Sequence, residues 1–341
     1  MLFLISQYSW LDTSTSREAI MYKSILLTTL GAVSLSLQGC EEPQASEFDN
    51  LSVLLAELEE KTSSNMVFIE GGSFIMGDFG AVGDDDVWRP YFPATIEEDK
   101  PHEVTLSSYY LSNQKTTWAD FDTYLLANQL DVIERIYSEN RDRTPYSQDP
   151  SSRYFIEKPA QVTWQEAKGY CQWMGAQTAL PLDLPTSAQW EFAARNRGSK
   201  DWLYSTHDGK YLNSNYEMAE LVHEGAEFVP VGSRLPPNPL GIYDMLDNGE
   251  EWVNDWFSKA YYRESDGVVD PQGPAQGAKK VIRNLGTDSL SFSFSRRGSS
   301  ESVPSFAAEG ERLIMEYTFR CAAQSNSLIQ KNTDRKVTGV R

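Results

Sequence analysis

The sequence predicts an α+β fold with short strands, few helices and much irregular chain. Residues 66–77 (MVFIEGGSFIMG) contain two short β-like runs joined by a Gly-Gly turn, and residues 102–106 (HEVTL) read as a further strand. Apolar residues recur at helical spacing in only a few places. Beyond Asn196, Gly, Asn, Pro and aromatic residues dominate, which predicts loops rather than long regular elements.

A leading helix is predicted after the polar stretch 41–47, from large apolar residues at helical spacing: Phe48, Leu51, Leu54, Leu55 and Leu58. Because these residues form one stripe, we expect the helix to pack on the domain. The alternative is that it acts as a spacer between the domain and a membrane. Three further helices are predicted over 118–128, 163–173 and 186–195. Thr186 is a suitable N-cap for the last of them.

Residues 21–40 (MYKSILLTTLGAVSLSLQGC) have the pattern of a secretory signal, with a Lys in front of an apolar run that ends at Cys40. The run is too short for an ordinary transmembrane helix. It resembles the lipobox of bacterial lipoproteins, in which the cysteine sulfur takes a diacylglyceryl group before cleavage. We therefore expect a start at Met21, loss of residues 1–39 and a lipidated Cys40. An unprocessed signal or a stray buried cysteine is the alternative.

Several acyl chains on Cys40 would hold the protein on a bilayer far more firmly than a single myristoyl group does. Glu41, rather than Asp, follows this cysteine, and the lipoprotein resemblance then implies sorting to the outer membrane. We expect the periplasmic face of that membrane. Residues 40–64 would comprise the lipidated cysteine, a tether and the short helix.

Export also bears on the two remaining cysteines, because the periplasm is oxidising. Pairing Cys171 with Cys321 would close a loop of 321 − 171 = 150 residues. The chain-entropy model gives roughly 5 kcal/mol of stabilisation for a loop of that length, as an upper figure. Two free, buried thiols are the alternative.

The composition is acidic and fits one sizeable exported domain. Residues 1–39 contain two basic and two acidic side chains, so 30 − 2 = 28 Lys+Arg face 49 − 2 = 47 Asp+Glu in the expected mature chain. This balance argues against nucleic acid as a partner and allows calcium or a basic protein. We expect one domain over 65–323 and a polar tail over 324–341.

Six segments in one order resemble the formylglycine-generating enzyme, or sulfatase-modifying factor, family. They are MVFIEGGSFIMG (66–77), KPHEVTLSSYYLSNQKTTWADFDTYL (100–125), PAQVTWQEAKGYCQWMG (159–175), LPTSAQWEFAAR (184–195), PVGSRLPPNPLGIYDMLDNGEEWVNDW (230–256) and TFRCAA (318–323). The resemblance implies a C-type-lectin-like fold with a small twisted antiparallel sheet, few helices and bound calcium. It also places Cys171 and Cys321 where catalytic relatives carry a structural disulfide.

The same resemblance implies a calcium site. Asn248 and Glu251 in DNGEEW match the Asn and Glu of the family's Gly-Asn-x-x-Glu-Trp motif, whose oxygens and neighbouring carbonyls bind the ion. Glu250 and Asp247 depart from that motif, and capping of loop backbone is the alternative role. A second family site would begin at Asn215, but its later carboxylate has no clear counterpart in this chain.

The sequence lacks the metal ligands that the catalytic members of this family use. By the resemblance, they oxidise a cysteine in an unfolded sulfatase segment with copper(I) held by two thiolates, the ligand type that cuprous ion prefers. The corresponding stretch 281–300 (VIRNLGTDSLSFSFSRRGSS) contains no cysteine. We therefore expect no copper and no formylglycine generation. His102, His207 and His223 are scattered and show no metal-ligand spacing.

Two functions remain. The first is a non-enzymatic binding or accessory lipoprotein of the cell envelope with a protein or glycan partner. The family resemblance alone implies that such a protein can be of the toxin-immunity type. Its recognition surface would be the loops over 281–311, with 78–100 as a second candidate segment. The candidate contact residues within 281–311 are Asp288, Phe292, Phe294, Arg296 and Arg297. The alternative is a periplasmic oxidoreductase of the same family, formylglycine-generating or similar to the siderophore-maturation members, acting through residues that the sequence does not identify.

Overall fold

The structure is a computed structural model. It describes residues 44–91, 93, 96–97, 99–130, 144–210, 228–284, 297–301, 305–306, 312–313 and 317–324. Within these residues the helices are α1 (Gln44–Asn65), α2 (Trp118–Ala127), α3 (Trp164–Thr178), α4 (Ser187–Ala194) and α5 (Tyr261–Glu264). The strands are β1 (Met66–Ile69), β2 (Gly72–Met76), β3 (Ala81–Val82), β4 (Trp88–Arg89), β5 (His102–Leu106), β6 (Tyr109–Ser112), β7 (Leu182–Asp183), β8 (Glu251–Trp256), β9 (Val268–Val269), β10 (Lys279–Arg283), β11 (Arg297–Glu301), β12 (Ser305–Phe306), β13 (Arg312–Leu313) and β14 (Ala322–Gln324). Short strands and few helices agree with the predicted α+β class.

Helices α2, α3 and α4 begin in the same way. Thr117, Thr163 and Thr186 are their N-caps, and each forms a capping box with the residue three positions later. The prediction of Thr186 as N-cap is confirmed. Helix α3 continues to Thr178, five residues beyond the predicted end, and stops where Ala179 takes a left-handed conformation (φ 55°).

Helix α1 differs from the prediction at its start. It begins at Gln44, inside the stretch 41–47 that was expected to be a tether, because that stretch contains good helix formers. Its C-terminal half lies against α2 and α3, and Leu58 is buried in the shared core. The helix therefore packs on the domain. Among the described residues, no helix combines the length and the apolar character that crossing a membrane requires.

The strands form several small sheets instead of one. A four-stranded antiparallel sheet has the order β1-β6-β14-β7, and a three-stranded sheet, β2-β5-β9, includes a parallel pair between β5 and β9. The two β-like runs of residues 66–77 thus belong to different sheets. Gly71 lies between them, where an added Cβ would stand 2.1 Å from the carbonyl oxygen of Leu106. Only glycine allows this close approach.

Strand β8 pairs with β10, which pairs with β11, in a part of the chain for which the sequence predicted mainly loops. Strands β8 and β10 lie between two apolar cores, because successive side chains of a strand point to opposite faces. Trp252 enters the core that contains the disulfide, and Val253 enters the core under α4. Ile282 of β10 lies in the core with the disulfide, and Val281 lies in the core under α4. Strands β8 and β10 could not be predicted from the sequence because both of their faces are buried and no alternation of polar and apolar residues marks them.

Candidate functional site

Glu251, one of the two residues expected to bind calcium, lies at the centre of a buried charge cluster. It is the first residue of β8, which corrects its predicted place on an irregular loop. Arg320 donates from Nε to Oε2 of Glu251 at 2.7 Å and from Nη2 to Oε1 at 2.9 Å. Nζ of Lys115 lies 3.7 Å from Oε1, and all three side chains are fully buried. The carboxylate is thus paired with two cations of the chain itself.

Asn248, the second expected ligand, bonds to the main chain. Its Oδ1 accepts a hydrogen bond from the amide of Val229 at 3.1 Å, and its Nδ2 donates to the carbonyl of Val229 at 3.0 Å. Asn248 and Gly249 both have left-handed backbones, with φ of 59° and 96°. A Cβ on Gly249 would also lie 2.5 Å from the ring of Phe228, so glycine is required there. The side chain of Asn248 therefore acts as the backbone cap that the sequence left as the alternative.

The 247–249 turn presents three consecutive carbonyl oxygens to one group. Nζ of Lys115 donates to the carbonyls of Asp247, Asn248 and Gly249 at 2.8, 3.0 and 2.5 Å. Nδ2 of Asn284 donates to the first and third of these carbonyls at 3.2 and 3.3 Å. Lys115 lies between β6 and α2, so the turn is bonded to a segment that precedes it by 132 residues.

Burial dominates the electrostatics of this cluster. It lowers the pKa of Lys115, against the opposing effect of the Glu251 and Asp244 carboxylates. For Glu251, burial favours the neutral form, but the charges of Arg320 and Lys115 outweigh it and the pKa lies below its ordinary value. Burial, followed by the nearby Asp244 charge, raises the pKa of Asp247 to about 6. Among the described residues, Oδ1 of Asp244 and Oδ1 of Asp247 have no hydrogen-bond partner.

These residues do not fit a calcium ion. Calcium takes six to eight oxygen ligands, but the carbonyls of the 247–249 turn already bind an ammonium group. The Asn248 oxygen binds a main-chain amide, and Glu251 is held by a guanidinium. No cluster of three or more His, Cys, Asp and Glu side chains suited to a metal occurs in the described part of the chain. Asn215, the start of the second expected site, lies outside the described residues.

The structure brings Cys171 and Cys321 together in a disulfide with an S–S distance of 2.01 Å. Both residues are buried in the core beneath α2 and α3. The chain has three cysteines in all, and the third, Cys40, lies outside the described residues. The domain therefore has no pair of free thiolates, and its residues do not fit a copper(I) ion held by two sulfur ligands.

The expected recognition surface is only partly described. Asp288, Phe292, Phe294 and Arg296 lie outside the described residues. Arg297 begins β11, where its backbone pairs with that of Arg283. Of the histidines, His102 is buried with its ring 4.5 Å from that of Tyr262, His207 is exposed, and His223 lies outside the described residues. Neither of the two described histidines belongs to a group of three or more His, Cys, Asp or Glu side chains that could hold a metal.

Sequence reasoning missed the two cations that complete the cluster. Arg320 stands between Phe319 and Cys321, in a segment whose other side chains are apolar, and a buried arginine requires a carboxylate partner. That signal was available in the segment TFRCAA. Lys115 offered no such signal, because an isolated lysine in a polar stretch (SNQKTT) is usually solvent-exposed.

Known proteins share parts of this sequence and its fold. The sequence model of the sulfatase-modifying factor enzyme 1-like domain matches residues 52–324, so the match begins within α1. A Chlamydia pneumoniae protein named serine/threonine-protein kinase pkn1 is 31% identical over 269 residues, which cover 73% of this chain and 37% of that protein. The chain spans about a third of the length of three kinase-named relatives.

Two other relatives carry names from the formylglycine-generating group. The formylglycine-generating enzyme of Streptomyces coelicolor is 35% identical over 136 residues, covering 36% of this chain and 39% of that protein. The inactive C-alpha-formylglycine-generating enzyme 2 of Bos taurus is 25% identical over 280 residues, covering 69% of this chain and 89% of that protein.

Solved structures show the same fold. PvdO from Pseudomonas aeruginosa superposes with a TM-score of 0.55 at 21% identity, covering 76% of this chain and 94% of that chain. Treponema denticola variable protein 1 superposes with a TM-score of 0.53 at 17% identity, covering 76% of this chain and 95% of that chain. At such identities the likeness concerns the fold and not the function.

Proposed function

We propose a binding role for this chain on the premise that it belongs to the family of proteins with a sulfatase-modifying factor enzyme 1-like domain. Membership confirms the family resemblance and the α+β fold of the formylglycine-generating enzyme type. Within that family, we infer a non-catalytic binding or accessory protein of the cell envelope, anchored to a bilayer through Cys40.

The Cys171–Cys321 disulfide is the observation that carries this proposal. The family's copper chemistry, as the resemblance implies it, needs two thiolates at one site. Only three cysteines exist in the chain, and two of them are bonded to each other. Cys40 alone cannot supply a thiolate pair, so the sulfur ligands for that reaction are missing from the sequence itself.

The relatives support this reading in part. A protein named as an inactive formylglycine-generating enzyme aligns with 69% of this chain. One relative is thus described by its name as non-catalytic. The kinase name of other relatives is not transferred, because the aligned part is about a third of those proteins. The alignment with the Chlamydia pneumoniae protein covers 73% of this chain, and the family domain spans residues 52–324. Most of the aligned residues therefore lie within the family domain.

The proposed location is the periplasmic face of an outer membrane. It rests on the apolar segment that ends at Cys40 and on Glu41 behind it. The proposed partner is an envelope protein or glycan, and the net charge of −19 argues against nucleic acid. The ligand surface would be the loops between β10 and β13, which begin at Asn284 beside the charge cluster.

A peptide assay tests the absence of catalysis. The purified mature protein is incubated with copper(I), oxygen and a peptide that carries the cysteine of an unfolded sulfatase segment, and aldehyde is measured by mass spectrometry. We expect none, while a relative that retains the thiolate pair converts the peptide under the same conditions. Aldehyde formation by this chain would establish the oxidoreductase alternative instead.

Cell fractionation tests the anchor. In a bacterium with two membranes, the full chain should enter the outer-membrane fraction, and Cys40→Ala should release it because the acyl chains are lost. Glu41→Asp is the matched control for sorting and should move the protein to the inner membrane without releasing it. Outer-membrane recovery of Cys40→Ala equal to that of the unaltered chain would contradict lipidation.

A pull-down from envelope extract tests the ligand surface. The unaltered chain is compared with a variant in which residues 288–296 are replaced by Gly-Ser repeats, and with Val53→Ala at an exposed position of α1. We expect one saturable partner to be retained by the unaltered chain and by Val53→Ala, and lost from the loop variant. Equal recovery by all three would remove this loop as the binding surface.

A further inference from the structure

The cation at the 247–249 turn is the side-chain ammonium of Lys115. Its Nζ donates to three consecutive carbonyl oxygens at 2.8, 3.0 and 2.5 Å. An ammonium group has three donors and no acceptor, so these carbonyls use its whole hydrogen-bonding capacity. Because the side chain is fully buried, this coordination is completed by protein oxygens.

The backbone of the turn explains why a cation is needed. Left-handed conformations at Asn248 and Gly249 (φ 59° and 96°) interrupt the alternation of carbonyl directions found in a strand. The three oxygens consequently converge on one point, where their partial negative charges would repel each other in a dry interior. A positive charge at that point removes the repulsion and fixes the turn.

The surrounding charges balance without a metal. Within the described part of the chain, three carboxylates face three cations around the turn: Asp244, Asp247 and Glu251 against Lys115, Arg234 and Arg320. A calcium ion would have to approach the same carbonyls that Lys115 uses. It would then meet the ammonium charge at short range in a low-dielectric interior, where like charges repel strongly.

We propose that Lys115 replaces the calcium ion that the family resemblance predicts at the 247–249 turn. The turn then holds its shape without a metal, and so does the start of β8 at Glu251, which accepts the second cation, Arg320.

Thermal unfolding of the mature protein tests this directly. The midpoint Tm is measured in millimolar calcium and in excess chelator, together with the metal content after dialysis against chelator. The measurement is made in the Asn215→Ala background, because Asn215 is the other calcium-ligand candidate of the chain. We expect the same Tm in both buffers. A chelator-induced fall in Tm in that background, or one calcium ion retained per chain, would overturn the proposal.

Lys115→Met separates the ammonium from the packing of its methylene chain. It leaves Glu251 with one cation and the turn carbonyls with an apolar neighbour, so Tm should fall by roughly 10 °C in either buffer. Lys61→Met is the matched control, since Lys61 is a partly exposed lysine paired with Asp120, and its Tm should change by only a few degrees. A Tm of Lys115→Met equal to that of the unaltered chain would also refute the role of Lys115.

Discussion

Arg320 and Glu251 are joined by two hydrogen bonds, of 2.7 and 2.9 Å, across 69 residues of sequence. Both side chains are fully buried, so this pair connects the end of the domain to the start of β8 in a medium that screens charge poorly. Glu251→Gln keeps the shape of the side chain but leaves Arg320 and Lys115 without their carboxylate. We expect the free energy of unfolding in denaturant titration to fall by about 3–5 kcal/mol.

An exposed ion pair provides the control for this loss. Arg89 and Asp85 form a salt bridge on the β3–β4 hairpin with both side chains more than half exposed. Solvent screens such a pair, so Asp85→Asn should leave the denaturation midpoint nearly unchanged. If Glu251→Gln were as mild as Asp85→Asn, the buried cluster would not be holding the domain together.

The Cys171–Cys321 disulfide should contribute to stability through the length of the loop that it closes. The two cysteines are 150 residues apart, and such a crosslink restricts the unfolded chain strongly. The Cys171→Ala, Cys321→Ala double variant should lose about 2–5 kcal/mol in denaturant titration. Reduction of the unaltered protein should cause a similar loss, and stability unaffected by reductant would contradict the bond in solution.

Helix α1 is expected to be a structural part of the domain. Leu58 is 5% exposed and packs into the core with Trp118 and Phe121, while Lys61 donates to both oxygens of Asp120. Leu58→Ala should therefore cost about 2–4 kcal/mol. Val53→Ala on the same helix is the control, because Val53 is 54% exposed. Equal effects of the two substitutions would show that α1 is only a spacer.

The sequence carried the local features of the fold well and the long-range ones poorly. The capping boxes at Thr117, Thr163 and Thr186 are local signals, and the helices start where these signals stand. Strand β8 was missed because Trp252 and Val253 are buried on opposite faces, which removes the polar alternation that marks a strand.

The candidate site shows the same limit. Asn248 and Glu251 were found because one local motif contains both of them. The structure places Asn248 in the turn and Glu251 at the start of β8. Their partners were not found. Lys115 is more than a hundred residues away in sequence, and nothing in its neighbours indicates that it meets three carbonyls of a distant turn.

Asp247 should make stability depend on pH in the acidic range. Its folded-state pKa is raised to about 6 from the ordinary 3.8 by burial and by the charge of Asp244. Between these values the folded state binds more protons than the unfolded state, so the free energy of unfolding falls as pH rises from 4 to 6. Measured as unaltered chain minus Asp247→Asn, the fall should be about 2 kcal/mol. A difference that is constant from pH 4 to 7 would refute the raised pKa.

Lys280 should have the opposite effect in the alkaline range. Its Nζ lies 3.8 Å from the ring centres of both Trp164 and Trp256, and burial lowers its pKa to about 8 from 10.5. Between pH 8 and 10.5 the unfolded state then binds more protons, so the free energy of unfolding rises with pH. Relative to Lys280→Met, the free energy of unfolding of the unaltered chain should rise by about 1 kcal/mol between pH 7.5 and 9.5. A flat profile in this comparison would show that Lys280 keeps an ordinary pKa between the two rings.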